Sequence, residues 1–367
     1  MVATERAPAE VARRRTRTAV IDCDIHTAPR DEKTLGRYMS EQWRRHHESF
    51  GGRGHTGAYY PRANMNAARS DSWPPTGGPP GSDLGFLRAQ LLDDWQMDWG
   101  ILTPLIGAGG QLNPGYGEAM SRACNDWQIA EWCEPEPRLV ASVVPYYEDG
   151  ARAAAEIERC AADKRFVQVL VVARTAEPLG RRKYWPMYEA ACKNDLPIAF
   201  HFGGSGGGPI TGAGWPSYYY EDHCGMPPSF ESQVTSFIFE SVFDRFPTMR
   251  LVLIEGGFAW LPALGWRLDR AYQRFGSDAP RLKKLPSEYI RENVWLTTQP
   301  MEEPENPAHF HDIVAGIGAD RLMFATDYPH WDFDAPDQAL PVRLPLDVEA
   351  KIMAETARSF YRLGDRH

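Results

Sequence analysis

Phe166-Val167-Gln168-Val169-Leu170-Val171-Val172 is an almost unbroken apolar, β-branched run. A strand with one face in water alternates apolar and polar residues. A run that is apolar on both sides is the mark of a parallel strand covered on both faces. Working outward, comparable runs occupy 18–26, 100–105, 139–146, 197–202, 250–256, 294–299 and 321–327. Helical patterns fill most of the gaps, at 117–133, 150–162, 184–194, 230–246, 260–275 and, just after Pro345, 346–361. Strands alternating with helices in this way predict an α/β (β/α)₈ TIM barrel. It is expected to form one domain over 18–367, preceded by a disordered arm over 1–17. Arg13-Arg14-Arg15 lies in that arm, but no apolar stretch of signal length follows it.

Two segments break the rhythm. Residues 28–84 form a long insertion rich in Gly, Pro, Trp and Tyr, and 203–228 begins with Gly203-Gly204-Ser205-Gly206-Gly207-Gly208. Both follow strands, which puts both at the C-terminal face of a barrel, where long loops wall or cover the active site. The glycine run lacks the Lys-Ser/Thr of a phosphate-binding loop.

The 367 residues are 43% hydrophobic, enough for a large core, and 49 acidic residues oppose 40 basic ones for a net charge of −9. That balance argues against a nucleic-acid partner. No stretch approaches the roughly 20 apolar residues of a membrane helix, so a cytoplasmic location is expected. The six cysteines (Cys23, Cys124, Cys133, Cys160, Cys192 and Cys224) form no C-x-x-C pair, and they read as reduced structural residues.

The chemistry starts in Ile21-Asp22-Cys23-Asp24-Ile25-His26. Side chains alternate along a strand, so Asp22, Asp24 and His26 share one face, and Ile21, Cys23 and Ile25 share the other. The apolar face suits the covering helices, which turns the ionisable face into the barrel. Three such groups are costly there unless paired or bound to a cation. His201, Glu255 and Asp327 end later strands, at the face where barrel enzymes work. Carboxylates with imidazoles suit one divalent ion (Zn, Mn, Fe or Mg), without choosing between them.

The chain resembles the amidohydrolase superfamily. Within it, the chain is similar to the amidohydrolase-related branch, which contains aminocarboxymuconate semialdehyde decarboxylase and related aromatic-acid decarboxylases. The resemblance runs from about Ala19 to the C-terminus. Its anchors are Ile21-Asp22-Cys23-Asp24-Ile25-His26, Phe200-His201-Phe202, the segment from Phe246-Pro247 to Ile254-Glu255-Gly256-Gly257, and Phe324-Ala325-Thr326-Asp327-Tyr328-Pro329-His330. It implies a single metal ion held by Asp24, His26, His201 and Asp327, with Asp327 doubling as a proton acceptor. The chain departs from the pattern twice. Asp24-x-His26 stands where His-x-His is usual, and Glu255 stands where the branch carries a histidine after the sixth strand.

The expected catalytic residues are therefore Asp327, Glu255 and His330, the last placed to orient Asp327 or touch substrate. His223, Tyr220, Gln299 and His55 are the candidate substrate contacts. The superfamily as a whole points to hydrolysis of a small cyclic or aromatic, carboxylated substrate by metal-activated water. Non-oxidative decarboxylation of an aromatic or unsaturated acid is the alternative, which the carboxylate-x-His motif favours. A third reading is a non-catalytic barrel used as a scaffold. The partner expected is a small-molecule substrate, with a homodimer as the assembly.

Overall fold

All eight apolar runs form strands: β1 Ile21–Ile25, β2 Trp99–Leu102, β3 Leu139–Val143, β4 Phe166–Val172, β5 Ile198–His201, β6 Leu251–Ile254, β7 Val294–Thr297 and β8 Leu322–Met323. They come from a computed structural model that describes residues 19–52, 67–204, 208–275 and 281–365. The expected arm over 1–17 lies outside the described residues, as do His55 and the middle of the glycine run.

The strands pair in sequence order in one eight-stranded sheet, and every pair from β1·β2 to β7·β8 is parallel. The sheet closes on itself. Cys23 N–H donates to Phe324 O at 3.0 Å, His26 N–H to Tyr328 O at 2.8 Å, and Ile25 bridges Tyr328. The fold is thus the predicted (β/α)₈ barrel.

β8 is shorter than the pattern implied, for a local reason. Beyond Met323 the backbone donors leave the ladder: Phe324 N–H donates to Ile352 O (2.9 Å), and the next two find side chains. Ala325 N–H donates to Thr298 Oγ1 (3.2 Å) and Thr326 N–H to Asp22 Oδ1 (3.0 Å). The groups stay satisfied, as buried backbone must, but the chain is free to turn inward at Asp327.

The main helices are α1 Glu41–Phe50, α2 Pro114–Trp127, α3 Gly150–Cys160, α4 Trp185–Lys193, α5 Tyr219–His223, α6 Met226–Phe239, α7 Leu261–Phe275, α8 Pro286–Asn293, α9 His309–Ile317 and α10 Thr356–Tyr361. Side-chain caps start two of them. Asn113 accepts from Gly115 and Tyr116 N–H ahead of α2, where Pro114 takes the first turn, and Asp149 accepts from Ala151 and Arg152 N–H ahead of α3. The predicted helix over 230–246 begins earlier, at Met226, and breaks at Ser241, whose φ is 60°.

The outward strand side chains pack on these helices. Phe200 of β5 meets Phe237 of α6 edge-on, with centroids 5.1 Å apart, and both are fully buried. Each such ring contributes about 1.5–3 kcal/mol by leaving water. Ile21 and Cys23 fall in an apolar cluster with Cys124, Ala354 and Ala357, as alternation required of them.

The insertion is pinned over the barrel mouth at its far end. Ala28 N–H donates to Gly81 O (2.9 Å), Arg69 N–H to Pro329 O (2.9 Å) and Trp331 N–H to Ala67 O (2.7 Å). No helix among the described residues is long and apolar enough to cross a membrane.

Candidate metal centre

His26 follows β1, and its Nδ1 lies 2.9 Å from Thr103 O. A carbonyl only accepts, so Nδ1 carries the proton and Nε2 is left as a lone pair. His201 ends β5 and repeats the arrangement, with Nδ1 2.6 Å from Phe202 O. The two rings are perpendicular, with centroids 4.9 Å apart.

Both free lone pairs face carboxylate oxygens. His26 Nε2 is 2.8 Å from Asp327 Oδ1 and 3.4 Å from Asp24 Oδ1. His201 Nε2 is 3.3 Å from Asp24 Oδ2 and 3.2 Å from Glu255 Oε2. Asp24, His201 and Asp327 are fully buried, and Glu255 and His26 are only 6% and 7% exposed. His26 Nε2 and Asp327 Oδ2 have no hydrogen-bond partner. Acceptors facing acceptors out of water cost several kcal/mol unless a proton or a cation lies between them. A divalent ion fits this donor set of imidazole nitrogens and carboxylate oxygens, and the unpartnered atoms are the sign of it.

Protons share the same space. Burial opposes charge on His26, but Asp24 and Asp327 more than offset it and push the imidazole well above its ordinary value. Burial, with Asp327 and Asp24, pushes Glu255 well up. Burial also opposes ionisation of Asp24 and Asp327, yet the imidazoles hold both below the usual carboxylate range. A metal entering this cluster would compete with the protons held by His26 and Glu255. Apparent Mn²⁺ affinity is expected to rise with pH, by about tenfold per pH unit for each proton displaced. Calorimetric titration at about pH 6 and about pH 8, in buffers of different protonation enthalpy, counts those protons. A pH-independent affinity would contradict the arrangement.

Second contacts hold the ligands in place. Thr103 Oγ1 donates to Asp24 Oδ1 at 2.5 Å. Asp22 accepts from Asp24 N–H (3.1 Å), Thr326 N–H (3.0 Å) and Thr326 Oγ1 (2.5 Å), so it braces β1 against β8 and does not face the ligand cluster. Burial pushes its carboxyl up to about 7. Glu255 and Asp327 each lie just past a strand with φ near the left-handed region, at 58° and 60°. For non-glycine residues such backbone costs on the order of 1 kcal/mol, and it occurs where the surroundings demand it.

Gly81 presses on the same site. Its φ is +74°, and a Cβ there would lie 2.3 Å from His26 O. Gly81→Ala is expected to destabilise the chain by about 1–3 kcal/mol and to loosen metal binding by shifting the end of β1. Thermal unfolding and Mn²⁺ titration measure both effects, and an unchanged Tm would contradict the close approach.

His330 stands at the edge of the cluster, with Nδ1 2.6 Å from Asp327 Oδ1 and its ring 4.5 Å from that of His26. His26 and His330 form one end of a cleft of about 230 Å³, whose other walls include Ala28, Pro29, Pro79, Leu105 and Ile106. Two imidazoles of the charged cluster beside apolar cleft walls suit a small ring bearing an acidic group.

The candidate substrate contacts divide. His223 and Gln299 converge on Asp332, His223 through Nε2 (3.3 Å) and Gln299 through Nε2 (2.9 Å). Tyr220, however, is 72% exposed, and Tyr219 takes the inner place. Its ring stacks on His223 at 5.4 Å, with the hydroxyl 3.3 Å from His223 Nδ1. Tyr219 and His223 are four apart on α5 and share a face, which adjacent residues on a helix do not. Sequence reasoning did not single out Thr103, Tyr219 or Asp332. Only Thr103 carried a signal, as a polar residue ending an apolar run.

The amidohydrolase family model matches residues 21–363. The gamma-resorcylate decarboxylase of a Polaromonas species is 27% identical over 271 residues, covering 69% of this chain and 79% of that protein. Among solved structures, 5-carboxyvanillate decarboxylase from Sphingomonas paucimobilis aligns with a TM-score of 0.68 at 20% identity, covering 95% of this chain and all of that one. Dihydroxybenzoic acid decarboxylase from Polaromonas, with bound manganese and the inhibitor 2-nitroresorcinol, aligns with a TM-score of 0.67 at 20% identity, covering 95% and 98%. These relatives correct the expectation of hydrolysis, since they are decarboxylases. The carboxylate-x-His motif had favoured decarboxylation, but a carboxylate–imidazole cluster at strand ends serves either chemistry, and the superfamily as a whole had weighed toward hydrolysis. The barrel, its buried cluster with donors for one divalent ion, and a family match over nearly the whole chain make this an enzyme of the amidohydrolase family.

Proposed function

We propose that the chain is a metal-dependent carboxy-lyase that removes CO₂, without oxidation, from a small aromatic or unsaturated carboxylic acid. The observation that carries this reading is the alignment of a curated decarboxylase over most of both chains. The charged centre at the end of an apolar cleft agrees with it.

Asp24, His26, His201 and Asp327 would hold the ion. Bound there, it supplies positive charge beside the substrate's acidic group. The apolar cleft walls take the ring and exclude water from it. The His330–Asp327 pair, joined at 2.6 Å and open to the cleft through His330, carries the proton. The ring carbon bearing the carboxylate accepts that proton. Its bond to the carboxylate carbon then breaks, the electron pair returns to the ring, and CO₂ leaves. The pair regains a proton from solvent. Tyr219, His223 and Gln299, gathered around Asp332, form the polar wall that selects ring substituents. A homodimer is the proposed assembly, and the exposed Trp215, Tyr218 and Tyr220 suit such a contact; sedimentation gives the mass.

The test is to incubate the Mn²⁺-loaded protein with a panel of hydroxylated benzoates and unsaturated acids and follow CO₂. Release with one decarboxylated product is expected. No CO₂ from any acid, together with turnover of an ester, amide or lactone, would overturn the reading.

A further inference from the structure

We infer that Glu255 is itself a metal ligand in this chain, joining Asp24, His26, His201 and Asp327, and is not the group that moves the proton. The inference rests on the metal-centre reading proposed above.

The geometry is specific. β5 and β6 are in register with His201 opposite Ile254, so the next residue, Glu255, lies beside the His201 side chain. Its left-handed turn (φ 58°) brings the carboxylate back over the imidazole, with Oε2 3.2 Å from Nε2. That Nε2 is the lone pair, because Nδ1 donates to Phe202 O. One candidate ligand atom from each of Asp24, His26, His201 and Glu255 lies within 4.8 Å of the others, whereas Asp327 groups with His26 and His330 and reaches the cluster through His26. His26 Nε2, more than nine-tenths buried and 2.8 Å from Asp327 Oδ1, lies in the same space.

The backbone keeps Glu255 there. A Cβ on Gly256 would lie 2.7 Å from the Phe230 ring, so the chain is pressed against the core directly after Glu255. Gly257 then continues the turn at φ +63°.

Glu255 also has no direct path to a substrate in the cleft. Among the described residues no backbone N–H or hydroxyl donates to its carboxylate, and it is not among the residues lining the cleft. Asp327, by contrast, is bonded to His330, and His330 does line the cleft. Two strand-end carboxylates with similar backbone therefore divide the work: Glu255 binds, while Asp327 binds and passes protons through His330. Three carboxylates and two imidazoles form an oxygen-rich set. Such a set favours Mn²⁺ or Mg²⁺, with their higher coordination, over tetrahedral Zn²⁺.

The experiment compares wild type with Glu255→Gln, both as full chains stripped with chelator. Mn²⁺ is titrated in and the free ion is read by electron paramagnetic resonance, and Zn²⁺ is then added in competition. Wild type is expected to take up one Mn²⁺ per chain. Glu255→Gln is expected to bind Mn²⁺ at least about tenfold more weakly, since even changes that only touch a ligand cost that much. Its preference is expected to move toward Zn²⁺. If Glu255→Gln fails to fold, as judged by circular dichroism, Glu255→His replaces it. That variant keeps a ligand atom and is expected to retain one metal with the same move toward Zn²⁺. Unchanged Mn²⁺ affinity and unchanged Mn²⁺/Zn²⁺ preference in Glu255→Gln, or in Glu255→His where that variant stands in, would overturn this inference alone. Failure of wild type to bind any divalent ion would overturn the metal-centre reading with it.

Discussion

His201→Ala is expected to yield a folded barrel that no longer takes up its metal and no longer releases CO₂. His201 is fully buried at the end of β5 and lies near both Asp24 (3.3 Å) and Glu255 (3.2 Å), so it joins two carboxylates from two other strands. Its loss removes one imidazole donor and leaves the carboxylates closer to bare repulsion, which raises the free energy of any ion bound among them. The fold does not depend on the imidazole. β5 is held by its ladder to β4 and β6 and by the packing of Phe200 on Phe237. A ligand present at 100 times its Kd stabilises the native state by about 2.7 kcal/mol. Wild type should therefore melt several degrees higher with Mn²⁺ than without it, and His201→Ala should show no such difference. A variant that still gains Tm from Mn²⁺ would remove His201 from the ligand set.

Asp327→Asn is expected to lower kcat by on the order of 10³, with a smaller loss of metal. General acid–base groups contribute about 10²–10⁴ in rate, and the amide keeps an oxygen for the ion while losing the charge and the proton. His330 would lose the carboxylate that holds it at 2.6 Å. The rate–pH profile should therefore lose its acidic limb, which a purely structural defect would not produce. Full recovery of kcat at saturating Mn²⁺ would mean that Asp327 serves only as a ligand.

Much of this was legible in the chain because it depends on local periods. Apolar runs covered on both faces must be parallel strands, and alternation puts Asp24 and His26 together whatever surrounds them. His201 and Asp327 end such runs, so their convergence follows from the barrel once its strands are counted. The insertion over 28–84 was placed at the mouth by the same logic; Ala28, Ala67 and Arg69 bond to Gly81, Trp331 and Pro329 there, while Tyr38, Trp43 and His47 pack against Glu131 and Tyr116.

Other features depended on helix phase and on neighbours distant in sequence. Nothing in Tyr218-Tyr219-Tyr220 says which ring turns inward until α5 is known to begin at Tyr219, which puts that ring over His223. The bracing of Asp22 needs Thr326, 304 residues away. Asp332 gathers His223 from the β5 loop and Gln299 from the end of β7, and no spacing in the sequence reveals that meeting. The reaction itself was misjudged, since the superfamily as a whole was weighed above the carboxylate-x-His motif that favoured decarboxylation.

The sequence alone thus determined the barrel and the pairing of Asp24 with His26 on one face of β1, because side-chain alternation and two-sided burial are properties of neighbouring residues. Only the tertiary structure decided which imidazole nitrogen is free, how Glu255 turns onto His201, and which tyrosine enters the site. Those depend on the Thr103 and Phe202 carbonyls, on left-handed turns forced by packing, and on distances between strands far apart in the chain.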